Sequence, residues 1–174
     1  MQDEKSKKPY LIEWLEDHKE DRGVMAALRH GLGQPPGSVV EMYPYIIPKL
    51  PHAVPKSTEN AYFLIASLFA LHPSFTDTGN FGDHFHQICK KSPEHADAVE
   101  RRFKALLASH PDDLPDYLRQ AVSFLKSKDE PINWSQLFKD VLDWGSPIHK
   151  VQRNWADSFW GDIELPENST NEKG

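Results

Sequence analysis

Between Leu114 and Leu125, apolar residues recur at the spacing that places them on one face of an α-helix. These residues are Leu114, Tyr117, Leu118, Ala121, Val122 and Leu125. Arg119 and Lys126 also share one face, but that face points well away from the apolar one. The pattern therefore predicts a helix that buries one side against the rest of the chain and exposes a narrow, partly basic stripe.

The rest of the chain shows the same helical spacing, and no segment shows the sustained alternation of a β-strand. Helices are predicted near residues 9–18, 21–31, 57–71, 84–91, 92–107, 111–128, 133–144 and 146–161, with a short or broken helix between 39 and 50. We expect Ser57 to cap the third of these, which is apolar around most of its circumference and should be the central, most buried helix. Leu142 and Ile148 are assigned to the buried faces of the last two helices.

These segments predict an all-α fold, a compact helical bundle of about eight or nine helices in two packed lobes. We expect residues 1–92 to form the N-terminal lobe and residues 93–161 the C-terminal lobe. Residues 162–174 are predicted to be a disordered acidic tail, which holds three of the six excess negative charges of the chain. The folded body is thus close to neutral and can carry a local basic surface despite the net charge of −6.

Cysteine content and hydropathy predict the compartment. The single cysteine, Cys89, rules out an internal disulfide. No apolar run approaches the roughly 20 residues that span a bilayer, and the charged N-terminus does not resemble a secretory signal. The sequence therefore predicts a soluble, cytoplasmic protein with no membrane partner.

Two clusters could carry metal chemistry. His84, His86 and Cys89 are ligand types for zinc, and a metal-dependent enzyme built on them is one hypothesis. His84 and His86, however, point in nearly opposite directions on a helix, which favours an ordinary polar helix with one buried Cys. Asp77 and Asp83 lie in a Gly-containing loop whose spacing does not match a calcium loop, so turn and cap residues are the preferred interpretation. We expect no metal and no cofactor, and acidic residues on outer faces.

Basic residues on the outer or boundary faces of predicted helices are the remaining signal. They are Arg22, Arg29, Arg101, Arg102, Arg119, Lys126, Lys150 and Arg153. On physical grounds alone, ordinary solvated charge is the simpler interpretation. The alternative is that several stripes converge into a track for a sugar-phosphate backbone, which positions a strand without reading its sequence. Trp134, Trp144 and Trp155 are expected in the core, and Trp160, off the inward face of its helix, is the best candidate for a partner contact.

A set of short motifs in a fixed order is more specific than any of these patterns. The N-terminal ones are Asp21-Arg22-Gly23, Ala26-Ala27-Leu28-Arg29, Gly31-Leu32-Gly33, Phe69-Ala70-Leu71-His72-Pro73 and Gly79-Asn80-Phe81-Gly82. The C-terminal ones are Glu100-Arg101-Arg102-Phe103, Leu118-Arg119-Gln120-Ala121-Val122, Ile132-Asn133-Trp134, Val151-Gln152-Arg153-Asn154-Trp155-Ala156 and Phe159-Trp160. In this order they closely resemble the CasB-type small subunit of Cascade, the type I-E CRISPR surveillance complex, over residues 10–161.

The resemblance implies an all-helical subunit without enzymatic activity. Its expected partners are CRISPR RNA, target and non-target DNA, the backbone and large subunits of Cascade, and a second copy of itself. It would support the guide–target duplex and hold the displaced DNA strand, stabilising the R-loop. The basic positions of the family match Arg22, Arg29, Arg101, Arg102, Arg119, Lys126 and Arg153, together with Lys128 and Lys150. A protein–protein assembly module whose charges are merely solvated is the alternative function.

Overall fold

The structure is a computed structural model that describes residues 7–161. Within that range the chain forms nine α-helices and an isolated β-bridge between Phe75 and Ile132, with no sheet. The helices are α1 (Tyr10–Asp17), α2 (Arg22–Arg29), α3 (Tyr43–Ile46), α4 (Lys56–Leu71), α5 (Phe81–Lys91), α6 (Ala96–Leu107), α7 (Leu114–Ser127), α8 (Trp134–Asp143) and α9 (Lys150–Trp160). Short 3-10 turns occupy Val40–Met42, Ile47–Lys49 and Pro93–His95. The all-α prediction is confirmed.

Helix α4 is central, as its sequence predicts. Nine of its sixteen residues are buried, and α1, α2, α3, α7 and α8 pack around it. Its first turn differs from the prediction, because the helix begins at Lys56 after Pro55 and no described side chain caps it, so Ser57 is not the cap. The broken helix after residue 39 is confirmed as the short α3 between two 3-10 turns.

Helix α5 is a packing element, and its prediction as a polar helix with one buried Cys was wrong. It begins at Phe81, three residues earlier than expected, and buries Phe81, Phe85 and Ile88, whereas Cys89 is only partly buried. Asn80 caps it in a capping box with Asp83, which confirms the interpretation of Asp83 as a cap residue.

Helices α5 and α9 approach each other closely. At Gly82 the backbone carbonyl of Trp155 occupies the place where a Cβ would project, so only glycine fits there. Helix α5 also packs on α6, and α6 on α7. Elements on both sides of residue 92 thus contribute to one hydrophobic core, and the division into two lobes stays a prediction.

Three side chains assigned to buried faces are exposed instead. Tyr117 is 36% exposed, because the edge of α7 on which it lies borders an open groove. Leu142, in the last turn of α8, is 41% exposed. Ile148 is 77% exposed, because the last helix begins at Lys150 and not at Ser146, which leaves Ile148 in the preceding turn. Trp134, Trp144 and Trp155 are buried as predicted.

The prediction that acidic residues occupy only outer faces was also wrong. Glu130 and Asp140 are both buried. The Oε2 atom of Glu130 lies 2.6 Å from the Lys91 ammonium, and its backbone carbonyl accepts a 2.7 Å hydrogen bond from His72 Nε2. These contacts tie the turn before α8 to the ends of α4 and α5.

Asp140 joins α8 to α9. Its carboxylate accepts hydrogen bonds from Trp155 Nε1, at 2.7 Å, and from Gln136 Nε2, at 2.9 Å. Burial raises the pKa of Asp140, and the two hydrogen bonds oppose that rise. The carboxylate is therefore a structural acceptor for the buried indole N–H group of Trp155, which would otherwise lie unpaired in the core.

Candidate nucleic-acid interface

All nine predicted nucleic-acid-binding side chains are on the surface. The exposed residues are Arg22, Arg29, Arg101, Arg102, Arg119, Lys126, Lys128, Lys150 and Arg153. Exposure is necessary for contact with a phosphate backbone, but it does not by itself distinguish a binding track from solvated charge.

Local ion pairing separates these residues into two groups. Arg119 lies 3.9 Å from Asp116, and Arg153 lies 2.9 Å from Asp157. Within residues 7–161, the other seven have no carboxylate oxygen within 4.0 Å. Their charge is therefore not neutralised by a described side chain and is available to an anionic ligand.

Helices α6 and α7 bring two of the unpaired cations together. The Arg102 guanidinium lies 5.1 Å from the centre of the Phe124 ring, and the Lys128 ammonium lies 5.9 Å from the same centre. Lys128 follows Phe124 by one helical turn, whereas Arg102 reaches the ring from the neighbouring helix. Phe124 thus holds cations from both helices at one place, within the range of a cation–π interaction.

Arg119 connects α7 with the segment that follows α2. Its guanidinium carbon is 3.9 Å from the position that a Cβ on Gly33 would occupy. Gly33 has a φ of 75° and lies four residues after Arg29, which ends α2. The structure therefore places Arg119 beside the segment that follows α2.

The basic residues of α9 lie in different surroundings. Arg153 contacts Asp157, and the concave surface next to Asp157 is also lined by Asp77 and Asp83. Among the described residues, no contact links Arg153 or Lys150 to the cluster of Arg102, Phe124 and Lys128. Arg153 is thus accompanied by negative charge, whereas Arg102 and Lys128 have no described carboxylate oxygen within 4.0 Å.

Trp160 packs against aromatic residues of α6 and α9. Its ring lies 5.5 Å from Phe103 and 4.7 Å from Phe159, measured between ring centres, and it is partly exposed. Hydrogen bonds from Lys104 and, to a smaller extent, Trp160 lower the pKa of Glu100. The role of Trp160 as a partner contact stays a prediction.

His84, His86 and Cys89 do not converge. His84 is buried, and its Nε2 accepts a 3.0 Å hydrogen bond from the backbone N–H of Asn133. Nε2 therefore carries no proton, and burial lowers the pKa of His84 to about 4. Burial, followed by the charge of Glu100, raises the pKa of Cys89, which disfavours the thiolate that binds metals. Among residues 7–161, no group of three or more His, Cys, Asp or Glu side chains is placed so that it could hold a metal ion.

Sequence reasoning missed Phe124 as a residue of the candidate interface. Phe124 is off the apolar face of α7 that the periodicity defines, and its neighbour across the groove, Arg102, is on another helix. The spacing of Tyr117, Phe124 and Lys128 in the sequence could have indicated this residue, because it places two aromatic rings and a cation along one edge of α7.

Comparison with known proteins identifies relatives over most of the chain. The model of the family described as CRISPR-associated protein Cse2 matches residues 24–160. A curated relative of that name from Thermus thermophilus is 30% identical over 155 residues, which cover 87% of this chain and 88% of the relative. No helix within residues 7–161 is both long and apolar enough to cross a membrane.

Solved structures show the same architecture. The crystal structure of a Cse2-family protein from Thermus thermophilus is 29% identical, with a TM-score of 0.78 over 89% of this chain and 99% of that one. A chain of a CRISPR RNA-guided surveillance complex is 23% identical, with a TM-score of 0.74 over 86% of this chain and 88% of that one. The second likeness concerns the fold alone.

Proposed function

This chain belongs to the Cse2 family of CRISPR-associated proteins, and we propose that it is the non-enzymatic small subunit of a type I-E, RNA-guided surveillance complex. In this role it contacts nucleic-acid backbone, supports the duplex of CRISPR RNA and target DNA, and holds the displaced non-target strand in antiviral defence. Its protein partners are the backbone and large subunits of the complex and a second copy of itself.

The convergence of Arg102 and Lys128 on Phe124 is the observation that carries the nucleic-acid part of this proposal. Two cations from different helices, without a described carboxylate partner, lie at one place on a chain whose net charge is −6. Arg119 lies on a different side of α7, next to Gly33 in the segment that follows α2. Such an arrangement fits phosphate contacts that position a strand without reading its sequence.

A purely structural assembly module is the second candidate. Exposed apolar side chains favour it, since Val40 is 65% exposed, Ile47 49% and Ile148 77%. Exposed apolar side chains mark surfaces that other subunits cover when they form a contiguous patch. The two functions are compatible, because these residues and the cluster around Phe124 belong to different elements.

Target-DNA affinity of the assembled complex tests the proposal. A variant with Arg102 and Lys128 both changed to Ala should bind target DNA more weakly than the wild type. Each lost phosphate contact to a single strand should also lower the slope of log affinity against log salt by about 0.7, so two contacts lower it by about 1.4. Affinity is measured by titration at several salt concentrations.

Lys104 offers a matched control. It lies on α6 two residues after Arg102, so it points to nearly the opposite side, and it already pairs with Glu100 at 2.8 Å. Lys104→Ala removes one positive charge from the same helix and should change neither the affinity nor the salt slope. If the Arg102 and Lys128 variant matched Lys104→Ala in both quantities while remaining in the complex, direct backbone contact at this cluster would be excluded and the assembly module would be favoured.

A further inference from the structure

The groove between α6 and α7 contains features that phosphate binding does not need. We propose that it is a stacking site for an unpaired base of single-stranded DNA, with Tyr117 and Phe124 as the aromatic platforms. This inference rests on the proposed function and deepens it, because it assigns part of the basic surface to the displaced strand and to its bases as well as its phosphates.

The aromatic side chains come from one edge of α7. Tyr117 and Phe124 are seven residues apart, which is two helical turns and about 10 Å along the axis. Gln120 and Ala121 lie between them, and Arg102 and Ala105 of α6 form part of the opposite wall. Two aromatic rings therefore border an open groove, whose lining also includes the buried apolar side chains of Phe85 and Leu106.

The charge of the groove favours an anionic ligand. Among the described residues, Arg102 is the one charged side chain of the lining, and no acidic side chain takes part in it. Lys128 adds a second cation beside Phe124. An apolar segment of another protein would gain nothing from these cations, whereas a nucleotide would place its base on the rings and its phosphate near Arg102 and Lys128.

The size of the groove limits what can enter. Its volume is about 100 Å³, and it is open to solvent on one side. A benzene ring fills a closed cavity of about 150 Å³. The groove therefore accepts part of one base and leaves the sugar and phosphate outside, where the exposed cations lie.

Only an unpaired strand can use such a site. Bases in a duplex are stacked on their neighbours, so an aromatic side chain meets their faces only after unstacking. In the proposed function the guide and target strands pair with each other, and the displaced DNA strand is the one with free bases. Because every base has an aromatic face, the site would not select a sequence.

Photocrosslinking in the assembled complex tests this inference. Target DNA is prepared with 5-iododeoxyuridine at one position at a time in the displaced strand, and the crosslinked peptides are identified by mass spectrometry. The expected result is a crosslink to Tyr117 or Phe124 from one or two adjacent positions. Labels in the guide RNA, or in the paired target strand, should give none there.

Conservative variants separate stacking from folding. Tyr117→Phe keeps the ring and should crosslink like the wild type, whereas Tyr117→Leu combined with Phe124→Leu keeps apolar bulk and should lower the yield at least fivefold. The salt slope of target binding should not change in the double Leu variant, because the cations are intact.

Four results would overturn the inference: no crosslink in α6 or α7, an unchanged yield in the double Leu variant, a crosslink from guide RNA, or loss of the double Leu variant from the complex. The last would show that another subunit fills the groove. If the salt slope falls in the Arg102 and Lys128 variant while crosslinks are absent, backbone contact stands and stacking fails. If neither is seen, the proposed function fails as well.

Discussion

Replacing Gly82 by Ala should weaken the contact between α5 and α9. Gly82 is the second residue of α5, and an added methyl group would overlap the backbone carbonyl oxygen and carbon of Trp155. A side chain in that position could rotate away, but these are main-chain atoms within α9. The two helices must therefore separate, or the first turn of α5 must shift.

The expected magnitude is the difference between two opposing effects. Inserting a methyl group into a packed interior costs about 1–3 kcal/mol. Replacing Gly by Ala within a helix gains about 0.5–1 kcal/mol, because Ala loses less backbone entropy on folding. We expect the overlap to dominate, with a net destabilisation of about 1–2 kcal/mol. For a domain of this length that lowers Tm by about 2–8 °C.

Gly23 provides a matched control. It is the second residue of α2, which has a polar N-cap as α5 does, and a Cβ there would lie 3.5 Å from Asp21 Oδ1, an ordinary contact. Gly23→Ala should therefore show the backbone effect alone, with unchanged stability or a gain of up to about 1 kcal/mol.

Urea denaturation followed by circular dichroism at 222 nm measures both variants. Gly82→Ala should lower the urea midpoint without changing the slope, since the same surface is exposed on unfolding. Equal midpoints for Gly82→Ala and Gly23→Ala would refute the close approach of α5 and α9 on which the argument depends.

Two further predictions concern buried polar groups. Asp140→Asn should preserve or raise stability at pH 7, because it keeps an acceptor for Trp155 Nε1 and removes a buried charge. Asp140→Leu should lose about 1–3 kcal/mol of stability, because it leaves the indole N–H unpaired. Thermal unfolding of both variants checks these expectations. His84 is held neutral, with its pKa lowered from 6.5 to about 4, so the folded chain binds fewer protons than the unfolded chain between these values. Its contribution is complete above pH 6.5 and is lost as the pH falls to 4, a change of about 3 kcal/mol. The stability curve of His84→Gln should lack this change, so the stability of the wild type relative to the variant should fall across this range in urea titrations.

The sequence predicts the helices well because their signals are local. The apolar spacing of α7 and the apolar circumference of α4 depend on residues within one or two turns, and the packing around α4 follows from the second pattern. Helix starts are less predictable. Ser57 is a good capping residue, but Pro55 ends the preceding loop two residues earlier and the helix begins at once.

Contacts between distant segments could not be predicted in the same way. The sequence around Glu130 indicates an exposed acid in a turn, but in the structure Glu130 contacts His72 after α4 and Lys91 of α5. His84 looks like a metal ligand until the backbone N–H of Asn133 occupies its Nε2. In each case the partner is 39 to 58 residues away in the sequence, and no local rule relates the two.

The failed assignment of Tyr117 is the most informative of these differences. Helical periodicity places it on the apolar face of α7, and its neighbours Leu118 and Ala121 are buried as that rule requires. Tyr117 itself is exposed because α6 leaves the edge of α7 uncovered beside Phe124. Closing such a groove would stabilise the fold. Tyr117 follows the apolar pattern yet stays exposed, with Arg102 in the same groove. We therefore expect a ligand to complete the packing at this position.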